Sequence, residues 1–212
     1  MKPLMILVLM LCGCAISKAQ HSVGLGLGAN LSQINFKNSE GEKDDRIKGE
    51  IGFGVHFTGQ KTINYSRRNK AKTGDNVIEL KVGFEQISFR NKENNILQSW
   101  KMNNLSTTLM FKHFGSQESA VYPFFGAGVY MDYMIGGTQE SGLEQYDLTA
   151  YLERKNLGVL ANVGVAYYIS AESSATLGFT YARGLSDLEP AEQSLTIGDF
   201  KIEVTLLFHI SK

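Results

Sequence analysis

The sequence predicts an all-β fold: an eight-stranded antiparallel up-and-down transmembrane β-barrel preceded by a cleaved signal peptide. Three observations lead there. Apolar and polar residues alternate with period two in about eight separate stretches. The N-terminus carries a secretory signature. Beyond it, no segment approaches the ~20 apolar residues that a membrane-spanning helix needs. Composition alone is neutral, because 212 residues with 43% hydrophobic and 20% charged side chains would also suit an ordinary globular domain.

The signature begins with Lys2, continues through an apolar run from Leu4 to Leu11, and ends in Ser17-Lys18-Ala19 before Gln20. The run is too short for a stop-transfer helix, and Ser17 and Ala19 are the small residues a signal peptidase requires. The division expected is a signal peptide over 1–19 and a barrel domain over 20–212. A rival reading takes Leu11-Cys12-Gly13-Cys14 as a lipobox, with Cys14 lipidated. Cys12 and Cys14 are the only cysteines, so either route leaves the barrel itself without a thiol. That suits passage through an oxidising compartment and excludes zinc–cysteine sites and cysteine catalysis in the domain. Removing Lys2 and Lys18 from 21 basic residues leaves 19 against 21 acidic ones, a net charge of −2. This is no footprint for nucleic acid, and the basic cluster Arg67, Arg68, Lys70 and Lys72 reads as a solvated turn.

The strands follow in order. Val23, Leu25 and Leu27 interleave with glycines, and Ile51, Phe53, Val55 and Phe57 interleave with Gly52, Gly54 and His56. Ile78, Leu80, Val82 and Phe84 alternate with Glu79, Lys81, Gly83 and Glu85, so three charges share a face that must meet water or one another. A weaker stretch sets Leu105, Thr107, Leu109 and Phe111 opposite Ser106, Thr108, Met110 and Lys112. In Tyr122-Pro123-Phe124-Phe125-Gly126-Ala127-Gly128-Val129, continuing to Tyr133, the odd positions face lipid and Gly126 and Gly128 face the lumen, leaving room for larger neighbours. Tyr122 and Pro123 are expected at the periplasmic rim, Tyr122 as an interfacial aromatic. Leu157 to Ile169, then Leu177, Phe179 and Tyr181, then Phe200 to Ile210 complete the set.

Residues 37–46, 90–99, 136–155 and 184–198 are polar and read as external loops, whereas 170–174 is a tight turn. Residues 59–75 are long for a periplasmic turn unless the flanking strands run on, which Ile63 and Tyr65 allow by keeping the parity of Phe57. Parity does not say which face is outside, but the chemistry of the polar face does. It is mostly Gly, Ser, Thr, Asn and Ala, which fits a crowded narrow lumen, whereas a soluble barrel would carry long solvated charges outside. The apolar face, with Phe53, Phe57, Phe84, Phe125, Tyr133, Tyr167, Phe179, Tyr181 and Phe208, suits lipid. A soluble lipocalin-like binder would instead turn Phe53 and Val165 inward.

Three stretches resemble a known family: Tyr122 to Val129, Asn156-Leu157-Gly158-Val159 to Gly164-Val165, and Phe179-Thr180-Tyr181-Ala182-Arg183-Gly184-Leu185-Ser186-Asp187-Leu188. They are similar to the PorT-like small outer-membrane β-barrels. The resemblance implies a Gram-negative outer membrane, a structural or interaction role, and a link to protein secretion. The chain departs from many such barrels in ending Phe208-His209-Ile210-Ser211-Lys212 instead of on the terminal aromatic that the barrel assembly machinery reads.

Catalysis is the contrasting class. An outer-membrane lipid-modifying enzyme would need His56 or His209, both of lumen parity, within reach of a serine and an acid at an open rim. The lumen acids Glu79, Glu85, Asp132 and Glu203 read instead as partners of Lys81, Lys112, Lys201 and Arg183 in an interior network. No Gly-x-Ser-x-Gly or His-Glu-x-x-His motif is present. No catalytic, cofactor-binding or metal residue is therefore assigned. A porin-like wide channel does not fit about eight strands. The expected partners are outer-membrane lipid, the assembly machinery and a protein at the external loops, with the barrel a monomer. The longest loop is acidic at Glu140, Glu144, Asp147 and Glu153 and carries Tyr146 and Tyr151 as contact residues.

Overall fold

The computed structural model describes residues 21–37, 47–63, 74–93, 96–116, 119–142, 144–188 and 194–210. The signal segment, Cys14, Tyr65 and the basic cluster Arg67 to Lys72 lie outside them. Among the described residues nine strands form: β1 (His21–Lys37), β2 (Lys48–Thr62), β3 (Asp75–Glu93), β4 (Ile96–Phe114), β5 (Val121–Ser141), β6 (Glu144–Asp147), β7 (Lys155–Ser170), β8 (Ser173–Gly184) and β9 (Ser194–Ile210). The order β4-β3-β2-β1-β9-β8-β7-β5 is closed by β4–β5 pairing into a ring of eight, and β6 is a short addition hydrogen-bonded to the outer end of β5. All pairs are antiparallel, and β1 meets β9 over its whole length, from His21 opposite Ile210 to Lys37 opposite Ser194.

The alternation becomes two surfaces. Phe53, Phe57, Phe125, Tyr133, Tyr167, Phe179, Tyr181 and Phe208 all point outward and are exposed; Phe57 is 71% exposed. Phe84 is half-buried only because it lies against Phe53 on the same outer face, ring centroids 6.1 Å apart. Phe53 (54%) and Val165 (42%) are outside, which overturns the lipocalin parity. An apolar exterior on a closed ring of strands is stable only in lipid, where every backbone group is already bonded within the sheet. The start of β1, the end of β9 and the tight β7–β8 turn lie at one end, assigned to the periplasm; at the other end the strands run on past the membrane.

Several boundaries move. Of the expected loop 90–99, residues 90–93 and 96–99 are instead the paired ends of β3 and β4, in register from Arg90 opposite Ser99 to Glu93 opposite Ile96. Likewise 136–155 is only partly loop. β5 continues to Ser141, turns through Gly142 at φ +62°, and returns as β6. Polar strands outside the bilayer keep their ladders without an apolar face, so hydropathy could not reveal them. In the turn beyond β2, Ile63 continues the ladder, its amide donating to the Asn76 carbonyl at 2.8 Å.

Two orientations are corrected as well. Arg183 shares the parity of Phe179 and Tyr181 and is exposed on the outside, so it is not part of the interior network. Tyr122 is buried inside the periplasmic end, against Phe114 and Tyr168, and is not an interfacial aromatic.

Candidate functional site

The interior divides into three tiers. The middle one is ionic. Lys112 Nζ donates to Glu79 Oε2 at 2.9 Å, and Gln60 Nε2 donates to the same oxygen. Lys81 lies between Glu203 (2.9 Å) and Glu79 (3.7 Å). Lys201 bonds Glu85 at 2.7 Å and stands 4.0 Å from Asp199, while Asn30 donates to the other Glu85 oxygen. Glu79, Asp132 and Asp199 are at most 1% exposed. Buried charges persist only where partners compensate for lost hydration, which the meshwork supplies for Glu79, Glu85 and Glu203, whereas both carboxylate oxygens of Asp132 and of Asp199 lack a hydrogen-bond partner among the described residues. Rings add to it, with Lys112 over Phe124 (4.7 Å) and Lys201 over Tyr130 (5.9 Å).

His56 belongs to this tier. Its Nδ1 is 3.5 Å from Glu203 and its Nε2 is 3.2 Å from Thr205 Oγ1, deep in the barrel and away from either rim. Gly26 and Gly83 flank it, and a methyl group on either would overlap the imidazole or its backbone. The lumen glycines are thus seats for the large polar groups opposite. A cavity of about 50 Å³ beside His56, Lys81 and Lys201 has room for a few waters and no ligand.

The outer tier is apolar. Ile34, Ile87, Phe89, Met102, Met134, Leu195 and Ile197 point inward from five strands, and Leu148 and Leu188 reach in from the connections above. Backbone bonds hold those connections down: Glu153 N to Leu188 O (2.9 Å) and Leu188 N to Leu195 O (2.9 Å). The external mouth is closed by this cluster. The periplasmic tier is aromatic, with Phe114, Tyr122 and Phe124 packed around Val77 and Ala166.

His209 lies at the periplasmic end, its Nδ1 2.8 Å from Ser22 Oγ. Asp75 and Glu172 line the same mouth. The serine–histidine half of the catalytic requirement is therefore met at a rim. Ser22 and His209 are also direct register partners across the β1–β9 seam, so the bond is equally a cross-strand fastening where the ring closes.

The structure brings together Glu79, Glu85, Glu203, Lys81, Lys112, Lys201 and His56, and sets Asp132 in the same tier facing Asn156. Two features escaped the sequence reading. Asp199 shares the parity of Lys201 and Glu203 and was legible by counting back two residues. The apolar outer tier was legible in Ile87 and Phe89, which continue the lumen parity of Glu85. Among the described residues, no group of three or more His, Cys, Asp or Glu is placed to hold a metal ion.

No curated protein matches the chain in sequence. Solved structures do match in fold. The crystal structure of Neisserial surface protein A is 12% identical with a TM-score of 0.52, covering 89% of this chain and 99% of that one. The outer membrane protein OprG from Pseudomonas aeruginosa is 12% identical with a TM-score of 0.53, covering 92% and 97%. At such identity the likeness carries the fold alone. Residues 5–208 match the family model described as outer membrane protein beta-barrel domain, and the chain accordingly belongs to that family of outer-membrane barrels.

Proposed function

We propose that the protein is a closed, non-catalytic, monomeric scaffold in the outer membrane whose external β5–β6 hairpin engages a partner protein. The observation that carries this is the contrast between the filled lumen and the hairpin. Inside, three tiers of side chains occupy the axis; outside, the β5–β6 pairing from Thr138–Asp147 to Ser141–Glu144 holds a rigid platform above the membrane. Tyr146 stands exposed on it (43%), beside the carboxylates of Glu140, Glu144 and Asp147, and Tyr151 is exposed just beyond it, after the 3-10 turn (65%). Ordered aromatics amid charge make an economical contact surface, since they lose little side-chain entropy on binding.

The narrower link to protein secretion, implied by the PorT-like resemblance, rests on that resemblance and on no feature of the site. One experiment addresses both levels. A photo-crosslinking amino acid is placed at Tyr146 or Tyr151 in the native membrane. A discrete adduct at these sites, absent when the crosslinker sits at lipid-facing Phe57, is the expected result. Adducts to lipid or none at all would sink the partner reading, and the identity of a captured protein decides the secretion link.

A further inference from the structure

The periplasmic mouth opens into a cavity of about 200 Å³, set apart from the external hairpin and bordered by Gln60 of the ionic tier. Four rings stand in sequence along it: Phe114 to Tyr122 at 5.9 Å, Tyr122 to Tyr168 at 4.8 Å, and Tyr168 to His209 at 6.3 Å. Two carboxylates, Asp75 at the start of β3 and Glu172 in the β7–β8 turn, line the same space. Among the described lining residues there is neither lysine nor arginine. Among the described residues, the lumen lysines Lys81, Lys112 and Lys201 belong to the ionic tier one step deeper.

This combination selects a ligand class. Aromatic faces attract a cation through the ring quadrupole, by about 0.5–2 kcal/mol depending on how far it is desolvated. The two carboxylates that line the cavity, Asp75 and Glu172, favour the same sign. The size is also selective: the volume holds many waters but falls below the ~300 Å³ of ordinary drug-sized pockets. An ammonium group on a short alkyl stem satisfies all three constraints, its methylenes against the rings and its head toward the carboxylates.

We propose that the periplasmic mouth is a binding site for a primary alkylammonium, such as a polyamine or the end of a lysine side chain, held by Phe114, Tyr122 and Tyr168 with Asp75 and Glu172. The binding face is the periplasmic one, opposite to the external hairpin, so the site stands or falls independently of the scaffold reading.

The test uses the full barrel in phosphatidylcholine nanodiscs, titrated with 1,5-diaminopentane and followed by amide NMR. Saturable shifts at Ser22, Tyr122, Ser174 and His209 are expected, weakened about tenfold in Asp75→Asn/Glu172→Gln. Glu172→Gln alone, in an exposed turn, gives a variant whose folding is not at stake and is expected to weaken binding in the same direction. Heat-modifiable gel mobility reports that each variant is folded. Neutral 1-pentanol and dianionic glutarate are the comparison ligands and are expected not to saturate. Absence of saturable shifts with the diamine overturns the proposal. So does an unchanged midpoint in both variants, or equal binding of 1-pentanol or glutarate.

Discussion

Lys112 and Glu79 illustrate how a single side chain behaves in this lumen. Their ion pair is 2.9 Å long and both groups are nearly inaccessible, so removing one strands the other without hydration. Lys112→Met is expected to destabilise the barrel by about 3–5 kcal/mol in urea unfolding from vesicles, whereas Glu79→Met/Lys112→Met recovers most of that loss. A double variant as unstable as the summed singles would refute the coupling. Glycines impose the complementary limit. At Gly128 an added methyl group would run into the Leu109 carbonyl of β4, and at Gly164 into Phe124 and the Leu177 carbonyl. The glycines of Phe125-Gly126-Ala127-Gly128 are therefore places where neighbouring strands and large lumen groups come too close for a side chain, not weak points of a strand. Their inward facing was legible from parity. Which group occupies each space was not, because that depends on residues far away in sequence.

At the scale of elements, the hairpin above the membrane is fastened by local chemistry. Asp147 ends β6 and caps the 3-10 turn Leu148–Ala150, its Oδ1 accepting from Thr149 N (2.9 Å) and Thr149 Oγ1 (2.8 Å). Those bonds to the Thr149 side chain and backbone hold the Asp147 carboxyl below the usual aspartate range. A depressed folded-state pKa means the cap is fully effective above the ordinary value and is lost as pH falls through the lowered one. Protection of the Thr149 amide from hydrogen exchange, corrected for its intrinsic rate, should hold as pH falls to about 3.9 and decline only below it. A decline centred at or above that value would contradict the cap. The cap matters because Leu148, one residue on, is a buried member of the outer cluster. Membrane-spanning strands were readable in order because lipid on one side and a packed lumen on the other force alternation. The outer parts of β3, β4 and β5 lack that contrast, so their pairing appeared only once the sheet register carried the ladders past the bilayer.

For the whole molecule, closure is the dominant property. The ring of eight leaves an interior that side chains fill, and the outer apolar cluster with Leu148 and Leu188 seals the external mouth. Reconstituted in planar bilayers, the protein is expected to give no stable conductance steps; steady single-channel openings would show that the filled axis has a second arrangement. The sequence by itself determined the barrel, its approximate strand number, its lipid face and most members of the ionic tier. It could do so because a period of two maps directly onto two sides of a sheet. The tertiary structure alone decided which charges meet across the lumen, that Arg183 stands outside and Tyr122 inside, and that rings and carboxylates from separate strand ends share one periplasmic mouth. These depend on register, shear and closure, quantities that join residues more than a hundred positions apart, as Lys201 joins Glu85, and leave no trace in local pattern.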